Sequence, residues 1–245
     1  DTLEISTQDI YNELANGKMP KTSMAAYQKI YDLFEELKKD YDTIFAVPLT
    51  NGLSTNASTM QSIARELEMN VHVIDMYATC ALEKHVAIWI KRLVDEHKSS
   101  EEILKIIQPA IDESNSLILV KNLQHLKRGG RLTPMAAALA GLLKIYPVLH
   151  INKSTEGRID VLNKVRTEKR ADAYAIDKIM DDIDIQHTHI YIIHSNFLEG
   201  ADHFKKCFIE KGVPEQNIHI DYISSVIAVH TGLGCIAIQY IREEN

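Results

Sequence analysis

Short apolar runs and amphipathic stretches alternate along almost all of this chain, and that alternation restricts the fold more than any single motif. TIFAVPL (43–49), VHVID (71–75) and SLILV (116–120) have the length and composition of buried strands. Between and around them lie segments with a helical period. AAYQKIYDLFEELKKD (25–40) is apolar at 27, 30, 33, 34 and 37, and NASTMQSIARELE (56–68) gathers Ala57, Met60, Ala64 and Leu67 on one side. Helices are also expected over 77–97 and 100–113, the second with Pro109 as a kink. STQDIYNEL (6–14) opens the chain as a capped helix, with Ser6 and Asp9 spaced as a capping box. Strands and helices in this order give an α/β architecture.

In the second half, YPVLHI (146–151) and RIDVLNKVR (158–166) flank a turn, followed by helix 168–182, strand 188–194, helix 199–211 and strand 217–222. The strands are spaced more closely here, so part of this sheet is expected to be antiparallel. A division near residue 115 separates 1–115 from 116–245. An α/β unit ordinarily begins with a strand, and this one begins with a helix.

The formal net charge of -7 argues against nucleic acid as the main partner, because duplex binders carry a basic excess. No apolar run nears the roughly 20 residues of a membrane span, and no basic-then-apolar leader opens the chain, so a soluble cytoplasmic protein is the default expectation. The three cysteines, Cys80, Cys207 and Cys235, are far apart and form no CxxC, which indicates neither a zinc site nor a disulfide framework.

Several stretches offer chemistry. Thr22-Ser23 precedes a helix and either caps it or joins the helix-start amides in holding an anion. In AVPLTNGLSTNAS (46–58), a strand runs into a polar turn and then a helix. Thr50, Asn51, Ser54 and Thr55 lie where α/β sheets bind ligands, and Gly52 permits close backbone approach. An ordinary capped turn has the same composition. Neither G-x-G-x-x-G nor G-x-x-x-x-G-K-[ST] occurs, so dinucleotide and P-loop readings lose their support. LKRGGRLTPMAAALAGLLKIYPVL (126–149) sets Lys127, Arg128 and Arg131 around a glycine pair. Thr133 and Pro134 then start a helix over 133–145 in which Met135 to Leu143 carries no polar side chain. Such a helix is expected to be buried all round, as a central core element or as the wall of an apolar cavity. Arg166 and Thr167 close a strand, where an arginine can pair with a ligand carboxylate or simply lie at the surface beside a helix cap. VIAVHTGLGCIAIQY (226–240) reads as two strands around a turn made by Gly232 and Gly234, with His230 and Thr231 in the turn.

In order along the chain, Thr22-Ser23, TNGLS (50–54), VHVID (71–75), LKRGGRLT (126–133), KVRT (164–167) and HTGLG (230–234) resemble the motifs of the DegV family of bacterial fatty-acid-binding proteins. Each motif is weak alone; the six in sequence are specific. The resemblance implies two α/β domains, a Rossmann-like N-terminal domain with a parallel sheet and a C-terminal domain with a mixed sheet. It places a strand and an Asp-Ser turn ahead of residue 1, which would account for the helical start. It implies a buried long-chain fatty acid as ligand and no cofactor, metal or catalytic machinery. A separate ATP-dependent fatty-acid kinase is the implied partner, any membrane contact being transient.

The same resemblance assigns carboxylate contacts to Thr22, Ser23, Thr50, Asn51, Gly52, Ser54, Arg166, His230 and Thr231. Lys127, Arg128 and Arg131 would dock the kinase, and Met135, Ala138, Leu139 and Leu142 would line the acyl chain. The chain departs from the family's TSQPS, SSGLSGTY and HTGPG at Met24-Ala25-Ala26, at Thr50-Asn51 with Thr55-Asn56, and at Leu233. Two other classes fit the residues: a small-molecule transferase or hydrolase with His230 as acid or base, and a ligand-responsive regulator.

Overall fold

The computed structural model describes residues 5–142 and 144–243. Its first elements are α1 (Thr7–Ala15), α2 (Tyr27–Leu37), β1 (Thr43–Ala46), α3 (Asn56–Glu66), β2 (Asn70–Val73), α4 (Ala81–Asp95) and α5 (Ser100–Glu113). Strands β1 and β2 pair in parallel, Thr43 opposite Asn70 through Ala46 opposite Val73. The apolar stripes of α2 and α3 meet at Ile30, Phe34, Ile63 and Leu67. The opposite layer is α4 and α5, packed through Leu82, Val86, Trp89, Ile103 and Ile107. Capping boxes at Ser6–Asp9 and Ser99–Glu102 start α1 and α5, and α5 continues through Pro109 to Glu113.

The remaining elements are β3 (Asn115–Leu119), α6 (Leu123–Arg128), α7 (Pro134–Leu139), β4 (Tyr146–Ile151), β5 (Asp160–Val165), α8 (Glu168–Asp182), β6 (Thr188–His194), α9 (Leu198–Glu210), β7 (Ile218–Tyr222), α10 (Ser225–Thr231) and β8 (Ile236–Arg242). They build a six-stranded sheet in the order β5-β4-β3-β8-β6-β7. Only β6 and β7 pair in parallel; the other neighbours are antiparallel, so the sheet is mixed. One face packs on α8 and α9 through Leu117, Ile192, Ile238, Ala175, Ile179, Phe204 and Phe208. On the other, Ile118, Leu149, Ile193 and Ala237 lie under a layer that includes Tyr11 of α1, Leu126 of α6, Ala136 of α7 and Ala228 of α10.

Two sequence expectations are corrected, and one further helix appears. Residues 226–229 are helical, not a strand: VIAV is the body of α10, which ends where Gly232 takes φ 77°. A four-residue apolar run fits either period, and the Ser224-Ser225 pair before it is the helix-start signal. A short helix that was not expected, α6, precedes and enters LKRGGRLT, ending at Arg128. The helix expected over 133–145 spans only Pro134–Leu139 and is not buried all round, while Leu143 lies outside the described residues. Ala136 and Leu139 rest on the core, whereas Met135 is 60% exposed, Leu142 is 53% exposed and Ala138 also faces solvent. Six residues make fewer than two turns, so a single face suffices to hold the segment.

Gln239 ties the two sheets' layers together. It is fully buried in β8; its amide nitrogen donates to the Thr79 carbonyl and to Ser116 Oγ, both at 2.9 Å, and its oxygen accepts the Ala81 N–H at 3.1 Å. Gln239→Leu strands these buried groups and should lower stability by about 3 kcal/mol, read as a fall in the urea midpoint at unchanged m. A second expectation concerns acid. Burial holds His150, His189, His194, His219 and His230 below the ordinary histidine value, so folding favours their neutral forms. Their contribution is present above the unfolded value, about pH 6.5, and is lost as pH falls through the lower folded values. The urea midpoint should therefore drop between about pH 7.5 and about pH 5.5.

Candidate functional site

The segment ahead of α2 and those that follow β1 and β2 meet the loops and short helices of the larger sheet around a small cleft of about 170 Å³. Its lining includes Thr22, Ser23, Ser54, Glu83, Arg131, Ser224, His230 and Thr231, with apolar walls from Leu49, Leu53, Ile159 and Ile227. The segments come from opposite ends of the sequence. Thr22 Oγ1 lies 2.7 Å from His230 Nε2, a bond that spans 208 positions.

The state of His230 follows from its partners. Nδ1 lies 3.1 Å from the Gly129 carbonyl, and a carbonyl only accepts, so Nδ1 carries a proton. Burial, with Arg131 nearby, pushes the imidazole below the ordinary histidine value, which leaves Nε2 bare and accepting from the Thr22 hydroxyl. The position of the ring is set by close packing. A Cβ on Gly129 would fall 3.0 Å from His230 Nδ1, and a Cβ on Gly232 would fall 3.1 Å from His125. His125 in turn donates Nε2–H to the Val229 carbonyl at 2.8 Å, pinning α6 to α10. Ser195 secures the turn after α10: its hydroxyl donates to the Gly232 carbonyl at 2.6 Å and accepts the Cys235 N–H at 2.9 Å.

The residues expected at the site from sequence divide into groups. Thr22, Ser23, Ser54, His230 and Thr231 line the cleft. Thr50 and Gly52 are behind it, packed on the turn between β4 and β5: Cβ atoms built on Gly52 and Gly157 would meet backbone or Thr50 Oγ1 at 2.0–2.2 Å. Thr50 Oγ1 is buried with no hydrogen-bond partner among the described residues. Asn51 is exposed; its N–H donates to Asp75 at 3.1 Å and its side chain accepts the Ser58 N–H at 3.2 Å, which supports the start of α3.

Arg166 is not brought to the cleft. The cleft takes Ile159 at one end of β5 and Arg166 follows the other end, and seven residues at about 3.3 Å each separate the two by roughly 23 Å. The arginine at the cleft is Arg131, whose Nη1 donates to the Gly129 carbonyl at 2.8 Å. Lys127 and Arg128 are exposed in the last turn of α6. None of Met135, Ala138, Leu139 and Leu142 lines the cleft, and only Leu139 is buried.

Sequence reasoning missed Glu83 and Ser224. Glu83 is the third residue of α4, after Cys80 at the helix start, and its Oε2 accepts the Cys80 N–H at 3.1 Å. The three-residue spacing to Cys80 was the available signal, obscured because cysteine is a rare cap. Cys80 itself sits at φ 56°, ψ -110°, a conformation costing about 1–3 kcal/mol that persists only where the surroundings impose it. Its Sγ lies 3.6 Å from Ser224 Oγ.

Other histidines are engaged elsewhere. His189 and His219 share a 3.2 Å contact between ring nitrogens, and His85 joins Tyr191 at 2.7 Å and Glu243 at 2.9 Å. Among the described residues no group of three or more His, Cys, Asp or Glu converges to hold a metal. What the cleft offers is a set of hydroxyls, one guanidinium and a neutral imidazole beside an apolar wall, which suits a ligand with a small polar head and a greasy body.

A family model describing DegV-family proteins, uncharacterised as a group, matches residues 1–243. The chain belongs to the DegV family. Among its relatives, a DegV domain-containing protein of Clostridium perfringens is 28% identical over 98% of this chain and 84% of the relative. One of Streptococcus pyogenes serotype M1 is 32% identical, covering 95% and 83%. The DegV fold is equally clear in solved structures. A fatty acid binding DegV family protein from Streptococcus agalactiae superposes with a TM-score of 0.91 at 28% identity, over 100% of this chain and 86% of that one. DegV, a fatty acid binding protein from Bacillus subtilis, gives 0.82 at 26%, over 98% and 86%.

The tautomer is directly checkable. Nitrogen-15 spectra of the histidine side chains at neutral pH should show His230 with a protonated Nδ1 and an unprotonated Nε2. In Thr22→Val the Nε2 resonance should shift, while the Nδ1 proton, held by the Gly129 carbonyl, should remain.

Proposed function

We propose that this DegV-family chain binds a long-chain fatty acid, holds its carboxyl group in the Thr22–His230 cleft and presents that group to a separate ATP-dependent fatty-acid kinase in the cytoplasm. The observation that carries the reading is the convergence of Thr22, Ser23, Ser54, Arg131 and His230 on one small cleft backed by apolar residues. A carboxylate taken out of water needs several donors, and these side chains are the types that supply them. The fatty-acid-binding relatives from Streptococcus agalactiae and Bacillus subtilis support the choice of ligand.

The cleft itself fits a head group, being smaller than the 300 to 1,000 Å³ or so of a typical ligand pocket. Ile159 and Ile227 connect it to the apolar layer between the larger sheet and α6, α7 and α10. The tail would part this layer, and each buried CH₂ contributes about 0.8 kcal/mol. Leu139 remains a candidate contact there, and the exposed Met135, Ala138 and Leu142 become candidates only if α7 turns inward on loading. Lys127 and Arg128 stay available for the kinase, whereas Arg131 is reassigned to the head group. In this reading the chain has no chemistry of its own, and the division near residue 115 separates two domains that share the ligand.

Mass spectrometry of an organic extract of the purified protein should find long-chain carboxylic acids. An extract without them, together with no uptake of added fatty acid, would overturn the reading. Arg131→Ala should weaken fatty-acid binding roughly tenfold or more, and Arg166→Ala should leave it within about twofold. His230→Ala should keep the fold and lower acyl-phosphate formation when the kinase is supplied. Turnover of a small substrate by the isolated chain would favour a transferase or hydrolase instead.

A further inference from the structure

Glu83 stands in the cleft as a group of the wrong sign for a carboxylate ligand. It lines the same cavity as Thr22, Arg131 and His230. Its Oε2 accepts the Cys80 N–H at 3.1 Å, while its Oε1 is closed off from solvent and has no hydrogen-bond partner among the described residues. Among the described residues Glu83 forms no ion pair, although Arg131 lines the same cleft and turns its guanidinium to the Gly129 carbonyl.

A carboxylate in this setting would hold a full charge against one backbone donor, and burial disfavours the charged form. Burial, opposed in part by the Cys80 N–H and reinforced by Asp75, pushes Glu83 up to about 8. At neutral pH the side chain is therefore a carboxylic acid. The Cys80 N–H requires an acceptor at Oε2, so the proton resides on Oε1, which has no acceptor among the described residues.

Resting on the fatty-acid reading above, we propose that Glu83 recognises the head group: its Oε1–H donates to the ligand carboxylate, and ionisation of Glu83 expels that ligand. The two carboxyl groups would share one proton, as neighbouring carboxyls do when both cannot ionise. The other titratable or charged groups facing Glu83 are Asp75 from the loop after β2, Cys80 at the start of α4, Arg131 ahead of α7 and His230 in α10. Just above neutrality His230 is already neutral, and burial holds the Cys80 thiol above its ordinary range.

The sign is fixed by linkage. If the ligand binds only the protonated form, affinity is constant below the free-state value of Glu83 and falls about tenfold per pH unit above it. The test measures binding of radiolabelled palmitate to wild type and Glu83→Gln from about pH 6.5 to about pH 9.5. The glutamine carbonyl still accepts the Cys80 N–H and its NH₂ still donates, but it cannot ionise.

Wild type should lose affinity above about pH 8, and Glu83→Gln should hold its affinity across the range. Parallel profiles in the two proteins would overturn the role of Glu83 while leaving fatty-acid binding intact. Failure of wild type to bind palmitate at any pH would overturn the fatty-acid reading, and this role with it. If Glu83→Gln does not fold, the carbon-13 titration of the Glu83 carboxyl in wild type decides: its midpoint should rise when palmitate is bound, and an unchanged midpoint would overturn the proposal.

Discussion

Gln239 lies at the centre of the larger sheet and uses its amide on groups from outside it, the Thr79 carbonyl and the Ala81 N–H. A buried amide with its donors and acceptor engaged has one orientation, and so do the groups it binds. This fixes the start of α4 on β8. Cys80, caught between the two bonded residues, is forced into its unfavourable backbone conformation, and Glu83 is turned into the cleft from the following helical turn. Groups lining the cleft from the start of α4 and from the larger sheet thus share one rigid reference.

The electrostatic character of the cleft follows from how few charges it admits. Its donors are mainly neutral hydroxyls, its histidine is held neutral by burial, and Arg131 shares its guanidinium with a carbonyl. Neutral donors cost far less to desolvate than charged ones. An anion can then be bound in an enclosed space without a permanent ion pair competing for the same groups.

Much of the architecture was legible in the sequence because the two hydrophobic periods were clean. Strand 188–194 and helix 168–182 coincide with β6 and α8, and the mixed sheet was expected from the strand spacing. The failures have local causes. VIAV before His230 is too short to declare its period, and α6 is a short helix inside a basic stretch. The apolar run after Thr133 suggested burial, but composition does not report which face of a six-residue helix meets the core. At the cleft, the motifs at Thr22-Ser23, 50–54, 126–133 and 230–234 each contribute lining residues, whereas KVRT contributes none. Arg131 and Arg166 are both motif arginines, and only the direction of β5 shows which of them reaches the cleft. Glu83 carried only its three-residue spacing to Cys80; its place in the cleft follows from burial, a property of the folded chain.

The glycine pair Gly52 and Gly157 gives the turn between β4 and β5 an unusual status. Hairpin turns ordinarily absorb insertions and deletions because nothing rests on them. Here the backbone of the loop after β1 lies directly against that turn, with no room for a side chain between them. The turn thus sets how closely the loop after β1 approaches the larger sheet. Its length is therefore constrained by that contact and not by hairpin geometry alone, and a change there reaches the cleft through Leu53 on one side and Ile159 on the other.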